Sequence, residues 1–299
     1  MSTRTQFPNQ FLTTQLPVLE ALIFSEYDRH PDMIPVVCRT ATSNKWGEQT
    51  TTVAGIKPAI TKNEGEPVAY DEAIEGYDKT YTHVTYAIAT SFSEELQEDD
   101  RFNLVEDTYR SLGLAMYQTR QITTANILNN GFSDTGPDGS TFFSTSHALI
   151  GGGTYANRPT VDVALSVAGL RAMEVAMMNQ VNHRNINVVM MPKIILVSPA
   201  LKHTAVELIK SQDRPDTAHR ATNTFFMENY ELVVCPFLTS ETAWFALSDK
   251  QSHNFRFYER IAPSVKSWID EETGDARTRI RSRFSVGYSD WIGAWGTSG

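Results

Sequence analysis

A long acidic stretch, from Trp46 to Asp78, contains too few large apolar residues to form a hydrophobic core of its own. Glycines and prolines interrupt it at turn-like spacing. A segment of this length without a core is either disordered or packed on another surface. Six acidic residues lie in its second half: Glu64, Glu66, Asp71, Glu72, Glu75 and Asp78. The fold is therefore expected to include an extended loop that another surface must support.

A second feature is an alternating run of arginines close to the C-terminus. Four of them occupy every second position: Arg277, Arg279, Arg281 and Arg283. Side chains of a β-strand alternate between two faces, so all four guanidinium groups are predicted to share one face of a strand. The whole chain nevertheless has a formal net charge of −9. Three partners stay open for this face: nucleic acid, an acidic surface on another copy, or the local acids Asp270, Glu271 and Glu272.

The length, composition and charge of the chain limit the class of protein to which it can belong. With 299 residues, 41% hydrophobic and 20% charged, the chain has the composition of a soluble globular protein with one large domain or two smaller ones. No apolar run approaches the roughly 18 to 20 residues that span a bilayer, and the N-terminal residues lack the apolar region of a secretory signal. The isolated Cys38 and Cys235 indicate a reducing compartment. A pI near 5.3 disfavours a protein whose main task is nucleic-acid binding.

The first half of the chain is predicted to contain an arm, a strand and a long helix. Prolines interrupt every short apolar run in the first forty or so residues, as in an arm. The stretch "KTYTHVTYAIATSF" is rich in β-branched and aromatic residues and predicts a strand. From Arg101 to Asn130, apolar residues recur at spacings of three and four and predict a helix about 45 Å long. Ser93 is the candidate N-cap upstream, and Gly131 is the expected stop.

The second half continues the mixture of helices and strands. A helix is predicted to begin near Ser166, "PKIILVSPA" predicts a buried strand, and Ser198 followed by Pro199 predicts the start of another helix. Further strands are predicted in "YELVVCPFL", "AWFALSD", "NFRFYERIAP" and "TRIRSRFSVGY". Because these elements follow no regular βαβ order, the predicted fold class is α+β.

The sequence lacks the spacings that catalytic and cofactor sites require. It contains no phosphate-binding glycine loop and no strand-linked dinucleotide fingerprint, and its histidines and cysteines lack zinc-ligand spacing. The segments "STSH" and "GGGTY", and the pair Asp134 and Asp138, fit turns better than a nucleophile, a phosphate loop or a calcium site. We therefore predict no enzymatic activity, no catalytic residue, no cofactor and no metal site.

The order of the elements resembles that of a known family. An arm, an acidic loop, a strand, a long helix, a compact domain and paired long strands follow one another. Four stretches carry the resemblance in the same order: "FFSTSHALIGGGTYANRP", "PKIILVSPAL", "AWFALSD" and "RFSVGYSDWIGAWGTSG". From about Trp46 to Gly299, the chain resembles the major capsid proteins of tailed bacteriophages, which have the Hong Kong 97-type fold. Within that group it is most similar to the Mu-type major head proteins.

This resemblance implies an organisation and a function. The implied parts are an N-terminal arm (1–45), an extended loop called the E-loop (46–92), a peripheral domain built on the long helix (93–160 and 251–299), and an axial domain (161–250). The implied protein is structural and self-assembles into hexamers and pentamers of an icosahedral shell. That shell encloses double-stranded DNA without sequence-specific binding and without a membrane. The implied partners are portal, scaffolding and decoration proteins, and the implied location is the virion, with assembly in the host cytoplasm.

Within this resemblance, the acidic stretch and the arginine strand are expected to meet. The E-loop of one subunit would lie across the peripheral domain of a neighbour, with some of the six acids paired with some of the four arginines. Trp291 and Trp295, in a glycine-rich tail, are further candidates for contacts between subunits. Two alternatives stay open. One is an encapsulin-like bacterial shell that encloses cargo enzymes, and the other is a nucleic-acid-binding module that uses the strand Arg277–Arg283.

Overall fold

The computed structural model describes residues 16–93, 95–96, 104–212 and 223–299. Within these ranges the chain forms two four-stranded sheets, two two-stranded ribbons and several helices packed against the sheets. Helices and strands do not alternate regularly along the chain. The predicted α+β class is therefore confirmed.

The described elements are named here in chain order. The helices are α1 (Leu16–Arg29), α2 (Ile34–Val37), α3 (Leu104–Asn129), α4 (Val167–Met178), α5 (Lys202–Lys210) and α6 (Thr224–Glu228). The first six strands are β1 (Arg39–Thr42), β2 (Gly47–Ala54), β3 (Ile74–Thr82), β4 (Val84–Phe92), β5 (His147–Ala148) and β6 (Thr154–Tyr155). The other six are β7 (Ile194–Val197), β8 (Glu231–Val234), β9 (Trp244–Leu247), β10 (Phe255–Ile269), β11 (Ala276–Tyr288) and β12 (Ala294–Thr297).

The first sheet has the strand order β1-β10-β11-β4 and supports α3, which we call the spine helix. At 1.5 Å per residue the spine helix is about 39 Å long. Its apolar side packs on β11, where Ile280 is buried with Leu112 and where Tyr109 Oη lies 2.7 Å from Thr278 Oγ1. The predicted long helix is confirmed over 104–129. Residues 94 and 97–103, which include most of the predicted first turns after Ser93, lie outside the described residues.

α1 lies along the spine helix, whereas the sequence predicted an arm interrupted by prolines. Pro17 occupies the first turn of α1, where its missing N–H has no helical partner to lose. Leu19 and Ile23 are buried against the spine helix. Gly113 permits this close approach, because a Cβ there would lie 2.2 Å from the carbonyl oxygen of Ile23. Residues 16–29 therefore belong to the packed body of the subunit.

The second sheet has the order β12-β9-β7-β8 and forms a core with α4 and α5. Met173 and Met177 of α4 pack in the same apolar cluster as Trp244 of β9, which is fully buried. The side chain of Ser166 accepts a hydrogen bond from Gly169 N and caps α4. The predicted start of this helix is confirmed.

Ser198 precedes a helical turn that begins at Pro199, as predicted, but its side chain does not cap that turn. The Ser198 hydroxyl donates to the carbonyl oxygen of Glu241 at 2.8 Å and so does not cap the following turn. The chain forms a short 3-10 turn over Pro199–Leu201 before α5 begins at Lys202. The hydroxyl instead ties the end of β7 to the loop that precedes β9.

Neither cysteine is exposed. Burial raises the pKa of both thiols, Cys38 and Cys235, which keeps them protonated and unreactive. None of the described helices is long and apolar enough to cross a bilayer.

Burial of His253 makes the stability of the fold depend on pH. Its side chain is almost fully buried, and desolvation lowers its pKa to about 4. Between pH 6.5 and 4 the unfolded chain binds a proton that the folded chain does not, so the free energy of unfolding falls as the pH falls. A pKa shift of this size corresponds to a loss of about 3 kcal/mol in the free energy of unfolding.

We therefore predict that the variant His253→Asn loses less stability than the wild type between pH 6.5 and 4. Asparagine can still accept the hydrogen bond that His253 Nδ1 accepts from Phe255 N at 3.2 Å. Urea unfolding of dissociated subunits at several pH values measures the difference. Identical pH dependence in the two proteins would contradict this assignment.

Candidate inter-subunit surface

β11 carries the four arginines on one face, as the alternation predicted. The side chains between them are buried: Thr278, Ile280 and Ser282. Because the spine helix covers that buried side, the guanidinium groups must point away from it. We call this outer surface the arginine face, which consists of Arg277, Arg279, Arg281 and Arg283.

Two of the four arginines have partners in their own subunit. Arg277 forms an ion pair with Asp270 at 2.7 Å, and Arg283 Nε donates to a carbonyl oxygen at 3.4 Å. Within the described residues, Arg279 and Arg281 form no ion pair. Lys266 lies directly opposite Arg279 on β10, which adds a like charge. The local-acid interpretation therefore applies to Arg277, and the middle of the arginine face keeps uncompensated positive charge.

β2 and β3 form an antiparallel ribbon that carries the residues 55–73, which we call the loop tip. Every residue of the loop tip is exposed in the subunit. Four large apolar side chains on it are 63–96% exposed: Ile56, Ile60, Val68 and Tyr70. The described part of the chain thus leaves the apolar side chains of the loop tip uncovered.

The base of the ribbon, in contrast, packs on its own subunit. Tyr81 is buried, with its ring centroid 5.0 Å from that of Tyr258, and Gly287 leaves room for the Tyr81 ring. Tyr77 Oη donates to the carbonyl oxygen of Ala148 at 3.3 Å. The expectation that the whole stretch from 46 to 78 lacks support in its own chain is therefore wrong. It holds only for the loop tip.

Arg184 fastens one end of the loop tip to the body of the subunit. Its Nη1 donates to both carboxylate oxygens of Asp71 at 2.9–3.0 Å, and its Nη2 donates to the carbonyl oxygen of Glu72. A tight turn presents Arg184, because Asn182 Oδ1 accepts its backbone N–H. The backbone N–H of Lys57, together with Arg184, lowers the pKa of Asp71 and keeps this carboxylate charged.

The other acids of the stretch divide into two groups. Asp78 accepts a hydrogen bond from Thr51 Oγ1 at 2.6 Å, and Glu66 accepts one from Asn63 Nδ2 at 3.1 Å. Three carboxylates contact no cation within the described residues: Glu64, Glu72 and Glu75. No acid of the stretch reaches the arginine face of its own subunit, so a contact between the two requires a second copy of the chain.

The two tryptophans of the C-terminal tail are core residues. Trp291 is 2% exposed and stacks on His147 and Tyr155, and Trp295 is 3% exposed and packs on Trp244. Both rings are therefore buried inside the subunit and leave little surface for a neighbour. The burial of both rings does not support the expected role of Trp291 and Trp295 in subunit contacts.

Histidines in this region are structural. His147 Nδ1 lies 2.6 Å from Asp138 and its Nε2 lies 2.9 Å from Asn157, and His183 Nε2 lies 3.0 Å from Asp290. The turn prediction is confirmed for 144–146 and 151–153, whereas His147, Thr154 and Tyr155 belong to the short β5–β6 ribbon. The sequence did not predict the contacts of His147 and His183, because the partners are separated along the chain. No group of three or more metal-binding side chains occurs among the described residues.

Solved structures from phages and from a virus-like particle are similar to this chain. The chain is similar to that of the virus-like particle from Pyrococcus furiosus (TM-score 0.61, 7% identity, 95% of this chain and 100% of that chain). It is also similar to a chain of Microbacterium phage Oxtober96 (TM-score 0.57, 10% identity, 90% of this chain and 92% of that chain). A third similar structure is the capsid of bacteriophage JBD30 decorated with minor capsid protein trimers (TM-score 0.55, 13% identity, 70% of this chain and 92% of that chain). At these identities the likeness shows the shared fold.

The family comparison extends from the ribbon to the last strand. No curated protein matches the chain. The family described as phage capsid protein matches residues 76–296, which is most of the chain and includes the spine helix and, except for β1 and the last residue of β12, the strands of both four-stranded sheets. The chain therefore belongs to the phage capsid protein family and is a structural protein of a capsid shell.

Proposed function

We propose that this chain is the major capsid protein of a tailed bacteriophage, with the Hong Kong 97-type fold. In this proposal it forms the hexamers and pentamers of an icosahedral shell around double-stranded DNA. The observation that carries the proposal is the exposed loop tip on a chain of the phage capsid family. A subunit that projects apolar side chains from its body needs another subunit to cover them.

The loop tip supplies the apolar part of this contact. Tyr70 is 96% exposed and Ile60 is 73% exposed, so nearly all of each side chain faces solvent in the isolated subunit. Full burial of a large apolar side chain contributes roughly 1.5–3 kcal/mol. Several such side chains on one loop give a neighbouring subunit a substantial surface to bind.

The arginine face supplies the charged part. Since Arg277 and Asp71 have partners within the subunit, the proposed pairing between neighbours narrows to Arg279 and Arg281 with Glu64, Glu72 and Glu75. An exposed pair contributes about 1 kcal/mol or less. A shell repeats the contact in every subunit, which makes small contributions significant for assembly.

The proposed parts follow the described elements. The ribbon and loop tip lie in the E-loop (46–92), and the spine helix with β10 and β11 lies in the peripheral domain (93–160 and 251–299). Three strands of the second sheet, β7, β8 and β9, lie with α4 and α5 in the axial domain (161–250), whereas its fourth strand, β12, falls within 251–299. We further propose assembly in the host cytoplasm with portal and scaffolding proteins, and kinship with the Mu-type head proteins. Decoration by a minor protein is proposed by analogy with the JBD30 capsid.

A second candidate is a shell that encloses material other than a genome. The similarity to the virus-like particle from Pyrococcus furiosus favours this second candidate, because the similarity covers the whole of that particle's chain. Electron microscopy of the purified protein, together with nuclease-protected nucleic acid in its particles, separates the two candidates. Closed shells that protect double-stranded DNA support the phage head. Closed shells that contain protein cargo support the second candidate, and a protein that stays monomeric at high concentration contradicts both.

Reversing the charge of the arginine face should prevent assembly. We predict that Arg279→Glu with Arg281→Glu weakens each contact about tenfold or more, because attraction becomes repulsion, and that particles are lost while the subunit stays folded. Circular dichroism and electron microscopy measure the two properties. Arg171→Glu, an exposed arginine on α4, is the matched control and should assemble normally.

A charge swap makes this prediction specific. Adding Glu64→Arg and Glu75→Arg to the double variant should restore part of the particle yield. Normal particles from the double variant alone would exclude the proposed pairing.

Removing the anchor of the loop tip should expose the loop further. We predict that Arg184→Gln raises the rate at which a protease cleaves within residues 55–73 several-fold in free subunits, because Asp71 and Glu72 lose their fastening. Limited proteolysis with mass spectrometry locates the cleavage. Arg171→Gln is the control, and equal cleavage rates in the two variants would show that Arg184 does not hold the loop.

A further inference from the structure

β4 is an open edge of the first sheet. It pairs with β11 on one side, and no described strand pairs with its other side. The outward backbone groups of Val84–Phe92 have no hydrogen-bond partner within the described residues. The side chains are largely uncovered too, with Val84 49% exposed and Ile88 47% exposed. This edge therefore offers a row of unpaired N–H and C=O groups to another strand.

Other edge strands of the described residues carry the features that discourage such pairing. β1, at the opposite edge of the same sheet, has four residues and begins with Arg39. β8 also has four residues and begins with Glu231. β4 has nine residues, "VTYAIATSF", without a charge, a proline or a glycine. Since edge strands normally protect themselves with charge, proline or short length, the composition of β4 fits a strand that is paired in the working protein.

The sequence of β4 is nearly symmetric about Ile88. On either side of Ile88 stand Ala87 and Ala89. Farther out, Tyr86 with Thr90 and Thr85 with Ser91 are pairs of hydroxyl-bearing residues, and Val84 with Phe92 is a pair of apolar residues. In an antiparallel pair of two copies centred on Ile88, these would be the residues directly opposite each other. Aromatic and β-branched residues and hydroxyl-bearing residues form favourable cross-strand pairs, and no like charges would meet.

We propose that β4 pairs with β4 of a second copy of this chain, antiparallel and across a two-fold axis at Ile88. The two four-stranded sheets then become one continuous eight-stranded sheet. Such a contact is isologous, which is the commonest symmetry of protein dimers. It goes beyond the proposed function, because it concerns neither the loop tip nor the acids of the E-loop.

The arginine faces of the two copies do not prevent this pairing. Ala87 lies directly opposite Arg281, and Ala89 lies directly opposite Arg279, on the same outer surface. The arginine strands of the two copies would stand three strand spacings apart, about 14 Å. This exceeds the Debye length of roughly 8–10 Å at moderate salt, so their repulsion is screened.

Cysteine cross-linking tests both the contact and its register. The native cysteines are buried, so an added cysteine on β4 is the reactive one. Residues directly opposite in an antiparallel pair have Cβ atoms about 4.5–5.5 Å apart, within reach of a disulfide or a short bis-maleimide. We expect Ile88→Cys to give covalent dimers in most chains of purified, assembled protein after oxidation or bis-maleimide treatment.

Two further variants fix the register. On oxidation, Ala87→Cys alone should give few dimers, because its two copies lie diagonally about 7–8 Å apart. Ala87→Cys mixed with Ala89→Cys before assembly should give disulfide-linked dimers that contain one copy of each. Ile122→Cys, with a similarly exposed apolar side chain on the spine helix, is the control and should stay monomeric under both treatments. A free thiol at position 88 in particles would overturn the proposal. So would slow amide exchange of residues 84–92 without any cross-link, because another strand would then cover the edge.

A charge at the centre of the pair provides a second readout. Ile88→Lys would place two ammonium groups directly opposite each other, so we expect loss of the dimer contact without loss of the fold. Ile122→Lys is the matched control. Normal particles from Ile88→Lys would also contradict the proposal. Wild-type shells together with no cross-link at position 88 would reject this contact alone, whereas absence of any wild-type shell would reject the proposed function.

Discussion

The packing of the spine helix against the inner face of β11 is the contact on which the outer surface of the subunit depends. Thr278 and Ile280 are buried beneath the helix, with Tyr109 bonded to Thr278. Because a strand alternates its side chains, burial of that set fixes the arginines on the opposite surface. The same sheet ends in β4 at one edge, and β4 continues through His83 into the ribbon that carries the loop tip. One buried contact thus positions the charged face, the open edge and the loop.

The body and the loop are held together in different ways. Among the described residues, three apolar clusters stabilise the body, and Trp291, which stacks on His147, belongs to the largest of them. The loop tip is joined to the body by polar contacts, chiefly those of Arg184 with Asp71. The Arg184 side chain is 6% exposed and that of Asp71 is 31% exposed, so one partly buried ion pair, and none of these apolar clusters, fastens the loop. This difference suits a subunit that must keep its shape while its loop finds a partner.

Local patterns predicted local structure, and contacts between distant residues escaped prediction. The period of two in Arg277–Arg283 and the spacing of apolar residues in the spine helix depend on neighbouring positions, so the sequence alone indicated both. The docking of Tyr81 on Tyr258 and the bond from Arg184 to Asp71 join residues more than a hundred positions apart. The burial of Trp291 also depends on distant partners. A glycine-rich tail read by itself indicated an exposed ring, whereas the fold surrounds it.

The central claim is that the loop tip is completed by a neighbouring subunit. Hydrogen–deuterium exchange of residues 55–73, compared between dissociated subunits and purified particles, tests it most directly. We expect fast exchange in the free subunit and marked slowing in the particle, together with slower exchange in β11, where a neighbour's loop would lie. Exchange in the loop that is equally fast in both states, in intact particles, would contradict it.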